Sequence, residues 1–145
     1  MQKMIHSNIE INASCEKIWN ILLDFNSYTE WNPFIKKING EAKKGSRLNI
    51  SIHLPESDPK EFKPVINVVW EKRQFSWLGR SGFPWLFSGE HMFILEELDP
   101  DKTRFHQNEV FRGFGVRMVG DLLDQTQDCF RNMNQAIKER AESEP

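Results

Sequence analysis

Between Met4 and Ile11 apolar and polar positions alternate, with Ile5, Ser7, Ile9 and Ile11 on one side and His6, Asn8 and Glu10 on the other. That period of two predicts a half-buried β-strand. The period then changes. Ser14 stands where a helix cap accepts a backbone N–H, Lys17 holds the place of a capping-box acid, and Ile18, Ile21, Leu22 and Phe25 recur at helical spacing. Asn26-Ser27 interrupts this helix, and a second short one is expected around Tyr28 to Trp31. Asn32-Pro33 stops it, because the proline ring disfavours helical backbone at the preceding residue.

Strand patterns follow. Ile35 to Gly40 reads as a short strand, Lys43-Lys44-Gly45-Ser46 as a turn, and Leu48, Ile50 and Ile52 alternate with Asn49, Ser51 and His53. Pro55 to Lys60 is polar, with two prolines, and reads as a flap within one domain. Phe62 to Trp70 and Arg73 to Gly79 are expected to pair through a tight turn at Glu71-Lys72, with Pro64 marking an edge or bulge. Phe87 to Leu98 and Thr103 to Phe111 form a long hairpin through Asp99-Pro100-Asp101-Lys102. After Gly113-Phe114-Gly115, a helix over Val116–Ala141 carries the stripe Val119, Leu123, Phe130, Met133 and Ile137, with Thr126 filling one position.

This order predicts an α+β domain spanning residues 1–145: a bent antiparallel sheet of about seven strands wrapped on a long C-terminal helix, with two short helices closing one end. A sheet with one apolar face must be covered, and only the last helix is long enough to do so.

Composition narrows the function. The chain has 11 Phe and 5 Trp against 1 Tyr, so its aromatic rings are mostly of the kind that line cores and apolar pockets. A net charge of −2 argues against a broad nucleic-acid footprint. No apolar run approaches the roughly 20 residues of a bilayer-spanning helix, and the N-terminus lacks a signal-peptide pattern. Cys15 and Cys129 lie inside expected helices without motif spacing, which suits free thiols and a cytoplasmic location. Asp121, Asp124 and Asp128 read as a solvated helix face, and His53 with Glu56 and Asp58 as a polar loop, so neither a metal nor another cofactor is expected. No P-loop, serine elbow or Cys–His pairing is present.

Three segments carry a family resemblance: Ile9-Glu10-Ile11 with Ala13-Ser14 and Ile18-Trp19; Tyr28-Thr29-Glu30-Trp31-Asn32-Pro33-Phe34-Ile35; and Gly89-Glu90-His91-Met92-Phe93 with Gln107-Asn108-Glu109-Val110-Phe111-Arg112-Gly113. In these the chain resembles the SRPBCC superfamily, which includes StAR-related lipid-transfer domains and polyketide cyclase/dehydrase-like proteins. The resemblance implies a helix-grip fold over the whole chain. It is less specific for activity, because the same fold carries unrelated functions.

Strand parity locates the candidate chemistry. His91 and Phe93 share one face of their strand, and Phe105, Gln107 and Glu109 share one face of its partner. The hairpin loop places His91 opposite Glu109 or on its diagonal. A buried charge needs a partner, so the pair either satisfies itself within the core or orients a ligand's polar group. In the second case Glu109 holds the His91 tautomer and the other ring nitrogen faces a cavity. Loss of the imidazole in His91→Ala is then expected to weaken binding more than folding. Phe75 and Trp77 add apolar area on the same side. Phe83, Trp85, Leu86 and Phe87, in the loop from Ser81 to Phe87, read as a gate, a local minicore or a dimer contact. Met118, Leu122 and Thr126 are expected to line the cavity from the helix.

The leading expectation is therefore binding or transport of a small hydrophobic ligand by a monomer or homodimer, without nucleic-acid or integral-membrane partners. The ligand would be a lipid, a polyketide-like molecule or an aromatic metabolite. One alternative is a cyclase or dehydratase using His91 and Glu109. Another is a protein-interaction domain that docks a partner through the sheet exterior or the aromatic loop.

Overall fold

The computed structural model describes residues 2–55, 57–81, 87–113, 116 and 120–143. Strand β1 (Gln2–Ile11) leads into helix α1 (Cys15–Leu23), a turn of 3-10 helix (Phe25–Ser27) and helix α2 (Tyr28–Trp31). Strands β2 (Ile35–Asn39), β3 (Asn49–Ile52), β4 (Lys60–Phe62), β5 (Val65–Trp70), β6 (Gln74–Ser81), β7 (Phe87–Asp99) and β8 (Lys102–Arg112) follow, and helix α3 (Gly120–Ser143) ends the chain. Ser14 caps α1 as its sequence position predicts, its Oγ accepting the Lys17 N–H at 3.1 Å. The Tyr28 hydroxyl donates to the Leu22 carbonyl at 2.5 Å and fixes α2 against α1.

The expected bent antiparallel sheet is present, with eight strands in place of about seven. Its hydrogen bonding divides into a five-stranded part, β1-β8-β7-β6-β5, and a three-stranded part, β2-β3-β4. Phe62 and Val65 belong to different parts, so the single strand expected from Phe62 to Trp70 is corrected to two. Pro64 is the reason: it has no N–H to give a ladder, and the chain changes partners there. The parts remain joined. Ile66 donates to the Ser46 carbonyl at 2.9 Å, and Gly45 donates to the Ile66 carbonyl at 2.8 Å.

The C-terminal helix is described from Gly120 to Ser143, so Val119 in the expected stripe lies outside the described residues. Leu123, Thr126, Phe130, Met133 and Ile137 are all buried, and so is Asn134, which the apolar stripe passes over. Polar contacts lash this helix to β1 and to Asn12 just after it. Lys138 Nζ donates to the Glu10 carbonyl at 3.0 Å, Gln127 Nε2 to the His6 carbonyl at 3.1 Å, and the Asn12 N–H to Glu142 Oε2 at 2.8 Å. The core lies between α3 and the inner face of the five-stranded part. Among the described residues no helix is long and apolar enough to cross a membrane.

Candidate functional site

The register of the last three sheet pairings builds the site row by row. Trp77 pairs with His91, and His91 with Glu109. Two rows along, Phe75 pairs with Phe93, Phe93 with Gln107, and Gln107 with Ser7. On the opposite side Gly79 pairs with Gly89, and Gly89 with Phe111. Side chains in one row and in alternate rows share a face, so the inner face carries aromatics, four polar groups and then two adjacent positions without side chains. Other groups close over the sheet at this pair, Phe62 and Pro64 at Gly79, and Glu109 with Phe111 at Gly89.

The aromatic members form a continuous packed body. Phe75 stacks on Phe93 at 6.0 Å and meets Trp77 edge-on at 5.6 Å; Phe93 stacks on Phe105 at 6.2 Å. His91 lies between two rings, Phe93 at 4.3 Å and Phe130 at 4.6 Å, both near parallel. It is 3% exposed. Its Nε2 is 2.9 Å from Gln107 Oε1, and its Nδ1 is 3.6 Å from Glu109 Oε1. The free nitrogen facing a cavity, expected from the sequence, is therefore corrected: the described residues occupy both sides of the ring. Gln107 rather than Glu109 makes the short hydrogen bond to it.

Glu109 is the accessible member of the pair, with 17% of its side chain exposed. Among the described residues it forms no hydrogen bond. Burial pushes its carboxyl up to about 8, and burial likewise pulls His91 down to about 3 against the opposing effect of the Gln107 hydrogen bond. Both groups are uncharged at neutral pH, which removes the cost of two ions in an apolar wall. The carboxyl lies over Gly89, where an added Cβ would come within 2.5 Å of Glu109 Oε2. Glycine at this position is what lets the acid stay there.

The remaining sequence candidates separate clearly. Phe75, Trp77, Phe93, Phe105 and Gln107 are buried in the packed body, and Thr126 is buried with its hydroxyl donating to the Leu122 carbonyl at 2.7 Å. Leu122 is half-buried against the core. Phe87 begins β7, with its backbone paired to Ser81. Trp85 and Met118 lie outside the described residues, as do Phe83 and Leu86 of the expected gate. Sequence reading missed Asn134, and it named Ser7 only in the alternation of the first strand and Gly89 only in the family resemblance. Asn134 had one signal, its spacing of four from Phe130, which puts it on the buried side of the helix. A separate polar cleft of about 480 Å³ opens outside the sheet, lined by Glu16, Lys17, Asp24, Trp31 and Arg140 among others.

A family model described as polyketide cyclase/dehydrase and lipid transport matches residues 2–142. Among solved structures, the chain is similar to the Zhui aromatase/cyclase from Streptomyces sp. R1128, with a TM-score of 0.80 at 12% identity over 98% of this chain and 94% of that one. It is similar to norcoclaurine synthase from Thalictrum flavum in complex with dopamine and hydroxybenzaldehyde, with a TM-score of 0.77 at 16% identity over 100% and 89% of the two chains. A START superfamily protein from Mycobacterium smegmatis is 25% identical over 97% of each chain, with a TM-score of 0.74. No curated protein sequence matches. Likenesses of 12–16% identity carry the fold alone.

Proposed function

Since the chain belongs to the polyketide cyclase/dehydrase and lipid transport family, within the SRPBCC superfamily, we propose that it binds a small, largely apolar molecule on the inner sheet face beside Gly79, Gly89 and Glu109. One observation carries this reading: the Glu109 carboxyl, without a hydrogen bond among the described residues, lies over Gly89 at the edge of an aromatic wall, where burial pushes it up to about 8. An ionised acid there would repel an apolar ligand through its hydration. A neutral one offers a directional hydrogen bond within an otherwise apolar surface, the usual make-up of small-molecule sites.

Native mass spectrometry of freshly purified protein tests this, together with titration of the neutral fluorophore N-phenyl-1-naphthylamine. A retained small molecule or saturable enhancement of fluorescence is expected. The side chain in Gly89→Leu should displace Glu109 from its place over the strand, weakening probe binding by about tenfold or more. Absence of both ligand and probe binding in folded protein, or unchanged probe affinity in the leucine variant, would count against the site.

The same carboxyl favours a second reading, acid–base assistance in a cyclisation or dehydration. A group pushed up to about 8 holds its proton at pH 7 yet can release it, which is the property a general acid needs. The discriminating measurement is a pH–rate profile on a turned-over substrate. A limb near that value, lost in Glu109→Gln, is expected if Glu109 does chemistry; binding without turnover supports the carrier.

A further inference from the structure

Behind His91 runs a chain of buried polar groups that links β7, β8, β1 and α3. Gln107 Nε2 lies 2.8 Å from Asn134 Oδ1 and 3.4 Å from the Phe130 carbonyl oxygen. Asn134 Nδ2 lies 3.0 Å from Ser7 Oγ, and Ser7 Oγ lies 3.2 Å from the Gln107 carbonyl oxygen. Ser7, His91, Gln107 and Asn134 are all buried. In such a chain the direction of every hydrogen bond is set by groups that cannot reverse. A backbone carbonyl only accepts.

The two carbonyl anchors fix one direction. Ser7 donates to the Gln107 carbonyl, so its oxygen accepts from Asn134 Nδ2. Asn134 Oδ1 then accepts from Gln107 Nε2, which also faces the Phe130 carbonyl. This leaves Gln107 Oε1 pointing at His91, and an amide oxygen facing a ring nitrogen at 2.9 Å requires the proton on Nε2. Reversing both amides would set Gln107 Oε1 against the Phe130 oxygen and take the Ser7 proton away from its carbonyl. The forward direction loses neither contact.

We propose that Asn134 and Gln107 are positioning residues that hold His91 in its Nε2–H form, so that its bare Nδ1 faces Glu109 Oε1 and the Glu109 oxygen over Gly89 is left as an acceptor for a hydrogen-bond donor on the ligand. The geometry distinguishes the two carboxyl oxygens: Oε1 faces His91 Nδ1, and Oε2 lies over Gly89. A bare Nδ1 on the Oε1 side favours the acid proton on Oε1, which makes Oε2 the carbonyl-like oxygen. The ligand class that fits is an apolar skeleton with a hydroxyl, phenol or N–H at one end. A ketone or ether of the same shape would place acceptor against acceptor. The ligand part of this inference rests on the binding site proposed above; the tautomer part does not.

The tautomer is read directly in ligand-free protein by long-range 1H–15N correlation of the histidine rings. His91 is expected as the neutral form with a protonated Nε2 and a bare Nδ1. In Gln107→Leu the ring loses its acceptor and should turn over to the Nδ1–H form, donating to Glu109; Asn134→Asp keeps the acceptor for Gln107 and should retain Nε2–H. A wild-type ring protonated on Nδ1, or on both nitrogens at neutral pH, overturns the relay, as does an unchanged tautomer in folded Gln107→Leu. For the ligand, 2-naphthol and 2-methoxynaphthalene are titrated as a matched pair. The naphthol is expected to bind tighter, on the order of fivefold, the worth of one hydrogen bond. Equal or reversed affinities overturn the donor class, whereas failure of both probes to bind overturns the site itself and leaves the NMR result to judge the relay.

Discussion

Replacing Phe130 by alanine is expected to destabilise the protein by about 3–5 kcal/mol, the range for deleting a buried aromatic ring. The ring is fully buried, stacks on His91 at 4.6 Å and meets Phe34 edge-on at 5.8 Å. It therefore joins α3 to the sheet and to the segment after α2 at once. Against a typical net stability of about 5–15 kcal/mol, such a loss leaves little or nothing in reserve. Urea denaturation followed by tryptophan fluorescence measures it. The smaller cavity in Phe130→Leu should cost roughly 1–2 kcal/mol. A second readout is chemical. The bare face of His91 becomes open to water in the alanine variant, so its pKa should climb from about 3 toward the ordinary 6.5. A loss below about 1 kcal/mol with no movement of His91 would mean that the stacked body is not a close-packed unit.

The second large effect is on the dependence of stability on pH. His91 is about 3 in the fold and 6.5 unfolded, so between those values the unfolded chain binds the extra proton and stability rises with pH. Glu109 is about 8 in the fold and 4.5 unfolded, so between those values the native state binds the extra proton and stability falls as pH rises. From this pair alone, stability should climb from pH 3 to 4.5, stay level from 4.5 to 6.5 and fall from 6.5 to 8. The two slopes cancel in the middle window. Each outer limb amounts to about 2 kcal/mol. Other carboxylates, among them Glu41, Glu96 and Glu142, are held below their usual range by hydrogen bonds to Lys43, His106 and Lys138 and add to the acidic limb. The alkaline limb belongs to Glu109. Glu109→Gln, whose side chain cannot ionise, should abolish the fall, and its stability relative to wild type should grow by roughly 1 kcal/mol per pH unit above 4.5, levelling off near 8. Chemical denaturation at half-unit intervals from pH 5 to 9 provides the comparison. Parallel profiles for the two proteins would show that Glu109 is ionised in the fold.

Much of this site is legible in the chain itself because it depends on parity. Alternation along β7 and β8 puts His91, Phe93, Phe105, Gln107 and Glu109 on one face without knowledge of the rest of the molecule, and the hairpin turn sets His91 opposite Glu109. Helical spacing likewise turns Leu123, Phe130, Met133 and Ile137 toward one side of α3. The break at Pro64 was visible as a position without a donor, but the chain's change of partner there was not. Local pattern gives the direction in which a side chain leaves the backbone.

What only the tertiary structure decided is which groups meet and what charge they carry. Gln107 finds Asn134 and Ser7 across 27 and 100 residues of sequence, contacts that no local period encodes. Gly79 and Gly89 become adjacent positions without side chains only because the register sets them side by side, and Glu109 can lie over Gly89 for that reason. The sequence alone made His91 and Glu109 a pair, with charge as the reason to pair. Enclosure among Phe93, Phe130 and Trp77 makes them a neutral pair, because the cost of desolvating an ion exceeds what a partner at 3.6 Å returns.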